Sequence, residues 1–599
     1  MSNSRKNNLS IDYTSRDFES IREDLIDYVK RYYPNTHKDF NEASFGAMMI
    51  DTVAYVGDML SYYLDYSLNE TFLTTASERK NVLKIGRQLG YTSPAVASSV
   101  GDVFLFINVP AKSDGSLDLS YAPVLRAGST FATTNRSVFT LISDVDFSSA
   151  LNTVVVATVD DTSGIPLNYA IRAPGRVVSG ERKQETYTVG SVVDFLRLEI
   201  EDSNVTDVIS VVDEDGHEYY EVEALSQNVV YKEVTNRGEF KEMVPSIIRP
   251  ISAPRRYIIE NAGGSTFVQF GKGSEEEQTA QDIVDPSNVV LDIYGKNYIT
   301  DFSFDPSKLQ RTDKMGISPS NTKIFVTYRT NSNGNSNCAT GALNAVLRPI
   351  FKFDNRNSLT SANISSTAGS LEVTNPQPIV GDVTTPNAEE LRQRIIGVHA
   401  AQNRAVTKQD YISLAYAMPS KFGAIRRCTV LRDADSAKNN LNMYVLAEDT
   451  SGALIGANSA LKDNLRVWIN GYKMISDSLD IMDARIVNLG IRYSIVSDSS
   501  RDSNKILIDA NDALRNEFAS KMDIGEPFYI TKIFKTLSKV DGVLDVENVE
   551  VVTKSGIGYS DNYFNIKKNT TPDGRVIVPR EDMIFEIRDL FTDIEGSIR

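Results

Sequence analysis

At 599 residues and 41% hydrophobic side chains, the chain is long enough for several buried cores, on the order of three to five domains. Its formal charge of −16, with no basic, aromatic-interleaved patch, argues against a phosphate-binding surface and a nucleic-acid-binding module. Its two cysteines, Cys338 and Cys428, lie far apart and exclude a disulfide framework and a zinc site.

The first ten residues, MSNSRKNNLS, lack the apolar core of a signal peptide, so the chain is expected to be made and folded in a cytosol. Residues 1–95 read as a helical module. Thr14 or Ser15 is expected to cap a first helix, with Asp17 at its positive end. Its seam is Phe18, Ile21, Leu25, Tyr28 and Tyr32, in steps of three and four, and Pro34 ends it.

A long helix over 43–66 follows, with two apolar stripes. Phe45, Met48, Thr52, Tyr55, Met59, Tyr62 and Tyr66 form one; Met49, Val53, Val56, Leu60 and Tyr63 form the other. Asp51, Asp58 and Asp65 mark the one steadily polar edge. A helix apolar over most of its girth needs two or more neighbours, which points to a bundle shared between chains. The tyrosines Tyr28, Tyr32, Tyr33, Tyr55, Tyr62, Tyr63 and Tyr66 support this, because a buried tyrosine needs a hydroxyl partner and interfaces are rich in tyrosine. The alternative is that both seams are private core. A membrane span is excluded, since each aspartate costs about 2.5–3.5 kcal/mol near a bilayer centre. Thr75-Ala76-Ser77-Glu78 has capping-box form and predicts a third helix through Val82, Ile85 and Leu89, capped by Gly90 and stopped by Pro94.

The predicted fold class is α+β and multidomain: the helical module, a β-rich body over 96–350, a linker over 351–385, and α+β domains over 386–500 and 501–599. Strands are predicted at Val103–Val109, Thr130–Ile142, Thr153–Val159, Glu185–Val189, Val205–Val212, Arg256–Glu260, Thr266–Phe270 and Ile324–Tyr328. The polar stretches 331–345 and 354–370 are candidate hinges. After residue 385, helices are predicted at 387–401, 407–417, 458–473, 503–520 and 530–538, and strands at 424–431, 441–447, 484–497 and 543–551.

No catalytic, metal or cofactor grouping stands out. His37, His217 and His399 form no close pair. Phe270-Gly271-Lys272-Gly273-Ser274 lacks phosphate-loop spacing and runs into Glu275-Glu276-Glu277, so it reads as a strand entering a glycine turn. Asp213-Glu214-Asp215-Gly216 lacks calcium-loop spacing and reads as a hairpin turn. Asp160-Asp161 and Asp433 with Asp435 read the same way.

Four stretches, in order, carry a family resemblance. The first is Asn69-Glu70-Thr71-Phe72-Leu73-Thr74-Thr75-Ala76, with Arg79 and Leu89-Gly90-Tyr91. The second is Ala127-Gly128-Ser129-Thr130-Phe131, with Phe139-Thr140 and Asp144-Val145. The third is Phe270-Gly271-Lys272-Gly273. The fourth is Asn375-Pro376 and Gly381, then Arg404-Ala405-Val406-Thr407 with Asp410-Tyr411. Together they resemble the baseplate J-like proteins of contractile-tailed phages, and most of all the wedge subunit that forms the inner ring of T-even-type baseplates. The third is similar to the family's FGDG turn, with Lys272 in place of the acidic residue.

The resemblance implies a non-enzymatic virion structural protein of the tail baseplate, assembled in the host cytoplasm without cofactors. It implies two copies per wedge, N-terminal helices bundled with a third chain, and a C-terminal region that closes the ring between wedges and relays the trigger for sheath contraction. The same architecture in a tail-like bacteriocin or extracellular injection system is one alternative. A tail-associated glycan hydrolase is a more distant one. Read physically, Thr407 is an N-cap with Asp410 at the third helical position and Tyr411 as first core contact.

Overall fold

The computed structural model describes residues 17–33, 44–92, 96–112, 114–160, 164–202, 204–235, 246–262, 264–273, 315–331, 335–354, 356–433, 440–498 and 501–598. Thr14, Ser15, Pro34, His37, Pro94, Asp161, Glu275–Glu277 and Asp435 lie outside them. The chain divides into two compact units, Met1–Ser93 with Thr385–Ala417, and Pro94–Thr384 with Met418–Arg599. It is an α+β, multidomain protein with a helical N-terminal region and a β-rich body.

The first unit is helical. Its first helix, α1, spans Phe18–Tyr32, with Asp17 as N-cap in a capping box with Ser20 and with Lys30 and Arg31 at the negative end. The second, α2, spans Phe45–Asn69 and is capped by Ser44, whose side chain accepts from the Ala47 amide. The third, α3, spans Arg79–Gln88. The capping box expected at Thr75–Glu78 is not formed: Glu78 occupies the N-cap position without a side-chain cap bond. Helices Ala388–Ala401 and Lys408–Tyr416 complete the unit. Its core joins Ala76, Val82 and Tyr91 to Leu391 and Ile395. The helices expected to open the 386–500 domain therefore group with the N-terminal module, because α3 needs their apolar faces.

The second unit begins with an antiparallel sheet. Its order is Leu343–Arg348, Thr130–Thr133, Val138–Leu141, Pro166–Ser179, Val100–Pro110, Glu372–Thr374, with Thr153–Val159 paired to the outer half of Pro166–Ser179. Val103, Leu105, Ile107 and Val109 alternate into its core, the two-residue period of a half-buried strand. The range predicted as one strand over 130–142 is a hairpin of two. The central strand Pro166–Ser179 was not predicted. Its Pro174-Gly175 pair reads as a turn, whereas Gly175 sits where Leu105, Leu141 and Val145 close in to 3.2–3.3 Å of where a Cβ would stand.

A second sheet runs Glu181–Val189, Thr322–Thr330, Val205–Asp213, Glu218–Glu221, Arg256–Ala262, Ser265–Phe270, Arg197–Ile200. Val211, Tyr257, Val268, Phe270, Ile324 and Val326 fill its core.

Two expectations about the middle of the chain need correction. The stretch 351–385 is not a plain linker: it holds helix Ser361–Gly369 and the edge strand Glu372–Thr374 of the first sheet. The stretch 331–345, of which 332–334 lie outside the described residues, is fastened in place. Asn337 accepts from Ser99 Oγ at 2.8 Å and from the Asp382 amide at 3.1 Å, and donates to the carbonyls of Asp382 and Glu448 at 2.8 and 2.9 Å. Its polar residues serve buried backbone, not water.

Toward the C-terminus, strands Arg427–Arg432, Asn440–Glu448, Leu454–Ile455 and Ser478–Asp483 form one small sheet. In a second, Arg485–Ser497 lies between Val543–Thr553 and the parallel strands Met583–Glu586 and Ile594–Ile598. Helices Ser503–Glu517 and Ile530–Leu537 pack on that sheet through Ile506, Ala510, Leu514, Ile533 and Leu537.

Candidate functional site

The feature that sets the first unit apart is what α2 leaves uncovered. Its buried residues are Ala47, Ala54 and Asn69 alone. The stripes predicted at helical spacing point outward: Phe45, Met48, Met49, Val53, Tyr55, Val56, Met59, Leu60, Tyr62, Tyr63 and Tyr66 are all exposed, Phe45 by 74% and Tyr62 by 64%.

The polar edge is the one α2 turns toward α1. Arg22 Nε of α1 meets Asp51 Oδ1 at 2.6 Å, and the Ile21 side chain lies 3.2 Å from where a Cβ on Gly57 would stand. Asp51, Asp58, Ser61 and Asp65 are half-buried, in line with the small residues Ala47 and Ala54. The amphipathic sense is thus reversed relative to a self-contained helical pair, in which apolar stripes face each other.

On α1 no residue is fully buried. Phe18, Ile21 and Leu25 are half-buried, while Tyr28 and Tyr32 are exposed by 53% and 61%. Tyrosines gather into two groups. Tyr28 contacts Tyr32 and Tyr33 with ring centres at 4.7 and 6.5 Å; Tyr62 contacts Tyr63 and Tyr66 at 5.9 and 6.4 Å. Partial desolvation, with the carboxylates of Glu78 and Glu70, raises the pKa of the Tyr66 hydroxyl. Exposed apolar patches of this extent mark interaction sites.

Most residues of the four resembling stretches have structural places. Asn69, buried at the end of α2, donates to the Asp65 carbonyl at 2.8 Å and accepts from Thr75 Oγ1 at 2.6 Å. Glu70 does the capping that Thr75 was expected to do. Its carboxylate accepts from the Ser77 amide (2.8 Å), Ser77 Oγ (2.6 Å), the Glu78 amide (3.2 Å) and Asn81 Nδ2 (2.9 Å). Burial pushes the Glu70 pKa up, but the hydrogen bonds from Ser77, Asn81 and Glu78 outweigh it and hold it below the usual value. This group therefore stabilises the fold fully above its unfolded value of about 4.3, and the contribution is lost as pH falls through the lower folded value. Glu70→Ala is expected to cost the helical unit about 1–2 kcal/mol at neutral pH, as for a lost charged cap. Glu70→Gln is expected to flatten the acid limb of its unfolding curve, measured by circular dichroism against pH.

Ala76 lies in the core, and its carbonyl accepts from Arg392 at 2.6 Å. Gly90, at φ 86°, lets the chain leave α3, and the Tyr91 amide returns to the Gly86 carbonyl at 2.9 Å. Thr407 and Asp410 form a capping box, Tyr411 is fully buried, and Arg404 and Val406 are exposed.

In the second unit, Gly128 turns at φ 91° into the strand that carries buried Phe131. Phe270 fills the second-sheet core edge-on to Tyr219. Gly271 carries the close approach to Met315 and Gly316, while Gly273 donates to the Gly316 carbonyl at 2.8 Å. Lys272 points outward to Asp194 at 2.9 Å. Asn375 is buried and ties the Leu343 amide to the carbonyls of Ala339 and Gln377, with Pro376 exposed beside it.

Asp213, Asp215 and His217 have ligand-type atoms within 4.8 Å of one another. Both Asp213 oxygens are already engaged by His217, through its amide at 2.8 Å and Nδ1 at 3.0 Å, and Gly216 turns at φ 85°. The arrangement is that of a hairpin turn. No helix among the described residues is long and apolar enough to cross a membrane.

Residues 17–88 match the family described as bacteriophage baseplate protein, N-terminal domain. The resemblance to baseplate proteins stands over this segment, which holds α1, α2 and α3. No curated protein matches the chain. Among solved structures, the chain is similar to one from the anti-feeding prophage baseplate, at 12% identity and TM-score 0.26, over 96% of this chain and 99% of that one. It is also similar to one from the type VI secretion system TssK-TssF-TssG baseplate subcomplex, at 9% identity and TM-score 0.23, over 73% and 95%. At such scores neither likeness bears on the fold.

Proposed function

We propose that this chain is a non-enzymatic structural subunit of a contractile-tail baseplate, in the position of a wedge protein, and that α1 and α2 enter a helical bundle with other chains. The observation that carries the reading is the outward-facing double stripe of α2, on a segment that matches a baseplate N-terminal domain. Fully burying one such Tyr, Met or Leu side chain contributes about 1.5–3 kcal/mol, so a handful of them can drive a stable association. Two stripes on one helix require more than one added helix. A second copy of this chain supplies some of them and a third chain the rest. The tyrosine hydroxyls call for partner faces that bring side-chain hydrogen-bond groups as well as apolar surface. By the same reading the C-terminal region closes a ring between wedges, and movement of that ring relays the trigger for sheath contraction.

Light scattering coupled to size exclusion, over a concentration series of the full-length chain, tests self-association. A dimer or larger species that dissociates on dilution is expected. A strictly monomeric particle at every concentration would remove the second copy from the bundle.

A further inference from the structure

The strand Thr153–Val159 has no part in that reading. It pairs antiparallel with Pro166–Ser179, from Thr153 beside Arg172 to Val159 beside Pro166. Among the described residues its other edge pairs with nothing. Every residue in it is exposed, so neither of its faces is covered. Its sequence, TVVVATV, has no charge and no proline, two of the devices that ordinarily keep an edge strand from pairing; its pairing is irregular between Val156 and Val159, so the regular open edge is its first half. Leu151, 95% exposed, leads into it, and exposed Ile165 and Leu167 flank the return.

The backbone direction follows from one bond. The Leu167 carbonyl accepts from the Ala111 amide at 2.9 Å, on the side of Val100–Pro110. The neighbouring even-numbered residues Ala170 and Arg172 therefore face Val155 and Thr153, which they oppose in register. Val154 and Val156 are left with N–H and C=O directed at the open edge.

We propose that this edge is a self-association site, at which Thr153–Val159 pairs antiparallel with the same strand of a second copy. An edge of alternating donors and acceptors takes an extended strand. Charge fits a second copy in antiparallel order. Arg172 stands exposed beside Thr153 at one end, with its guanidinium 3.3 Å from Thr153 Oγ1, and Asp160 follows Val159 at the other. Antiparallel pairing of two copies brings each Arg172 end against the Asp160 end of its mate, whereas parallel pairing sets like charge beside like. Such a patch is self-complementary about a two-fold axis. A ladder this short buries less than the ~1,200 Å² of a stable interface, so it acts as a second contact between copies already held near each other.

The test is a set of single cysteines, Thr153→Cys through Val159→Cys, in the full-length chain under mild oxidation. Cys338 and Cys428 are buried and stay silent. The residue that opposes itself across the two-fold axis is expected to cross-link about tenfold faster than its neighbours on either side, the gain from fixed proximity. Uniform rates would mean random collision and overturn the proposal. Absent cross-linking overturns it too; protection of the Val154 and Val156 amides in the monomer would then show that another segment of the same chain occupies the edge. Repeating the scan with Met59→Glu separates the two contacts. The maximum is expected to collapse there, because the bundle brings the copies together; one that persists would overturn the strand's place as a second contact. Normal association by Met59→Glu would sink the helical bundle and leave the strand result standing.

Discussion

Tyr55→Glu and Met59→Glu should each abolish association of the full-length chain while leaving its thermal unfolding almost unchanged. Both positions lie on one outward stripe of α2, exposed by 57% and 38%. In the isolated chain a glutamate there meets water and loses little. Glutamate is a good helix former, and at position 55 its like-charge spacing to Asp51 and Asp58 costs only about 0.2–0.5 kcal/mol per pair. In an assembled bundle the same carboxylate is desolvated beside apolar neighbours, at several kcal/mol unless it takes a proton. Affinity should therefore fall at least about a hundredfold, roughly 3 kcal/mol. Size exclusion with light scattering reads the first effect and circular dichroism the second. Ala54→Glu is the contrasting control. Ala54 is fully buried, so this change should damage the α1–α2 pair itself and lower helicity. Normal assembly by both stripe variants would mean that the exposed face of α2 is not the contact.

Gly271→Ala should be the most damaging single-methyl change in the second sheet, at about 3 kcal/mol or more, the top of the usual range for overpacking. A Cβ there would lie 2.2 Å from the Gly316 carbonyl oxygen and 2.3 Å from that of Met315. Both are backbone atoms, so no rotamer change relieves the clash. The segments that meet here are stitched on each side. The Phe195 amide donates to the Gly271 carbonyl at 2.9 Å, the Ile317 amide to that of Pro254 at 3.0 Å, and the Ser318 amide to that of Gly273 at 2.8 Å. Beneath them Arg256, fully buried, donates to the carbonyls of Leu225 and Ala253 at 2.7 and 2.8 Å. Displacing 315–317 strains this whole set. A chain of two units does not unfold in one step, so hydrogen exchange at Arg256–Ala262 and Ser265–Phe270 is the measurement to make. Its protection should drop while α3 and Ala388–Ala401 keep theirs. Lys272→Asp, one residue on, should change stability by less than about 1 kcal/mol, because the Lys272–Asp194 pair is half exposed. On that contrast the glycine spacing of this turn is a packing requirement, and the charge between the glycines is not.

Much of the local structure was legible in the sequence. The helices at Phe18–Tyr32, Phe45–Asn69, Ser459–Asn470 and Ser503–Glu517, and strands such as Thr153–Val159 and Val205–Asp213, follow from periodicities that need no partner to be read. So does the existence of two apolar stripes on α2. Other features had no local signal. Pro174 and Gly175 disguised a central strand, and short strands such as Met583–Glu586 depend on Arg485–Ser497 to give them a mate. Glu70 caps α3 from eight residues before Glu78, a distance no capping-box pattern covers.

The sequence by itself determined which residues can form an apolar face and in what period, because helix and strand geometry repeat every few residues. Only the tertiary structure decided which faces are covered. Coverage depends on segments distant along the chain: Leu391 and Ile395 close over α3, while α2 turns its aspartates to α1 and leaves its stripes to the solvent.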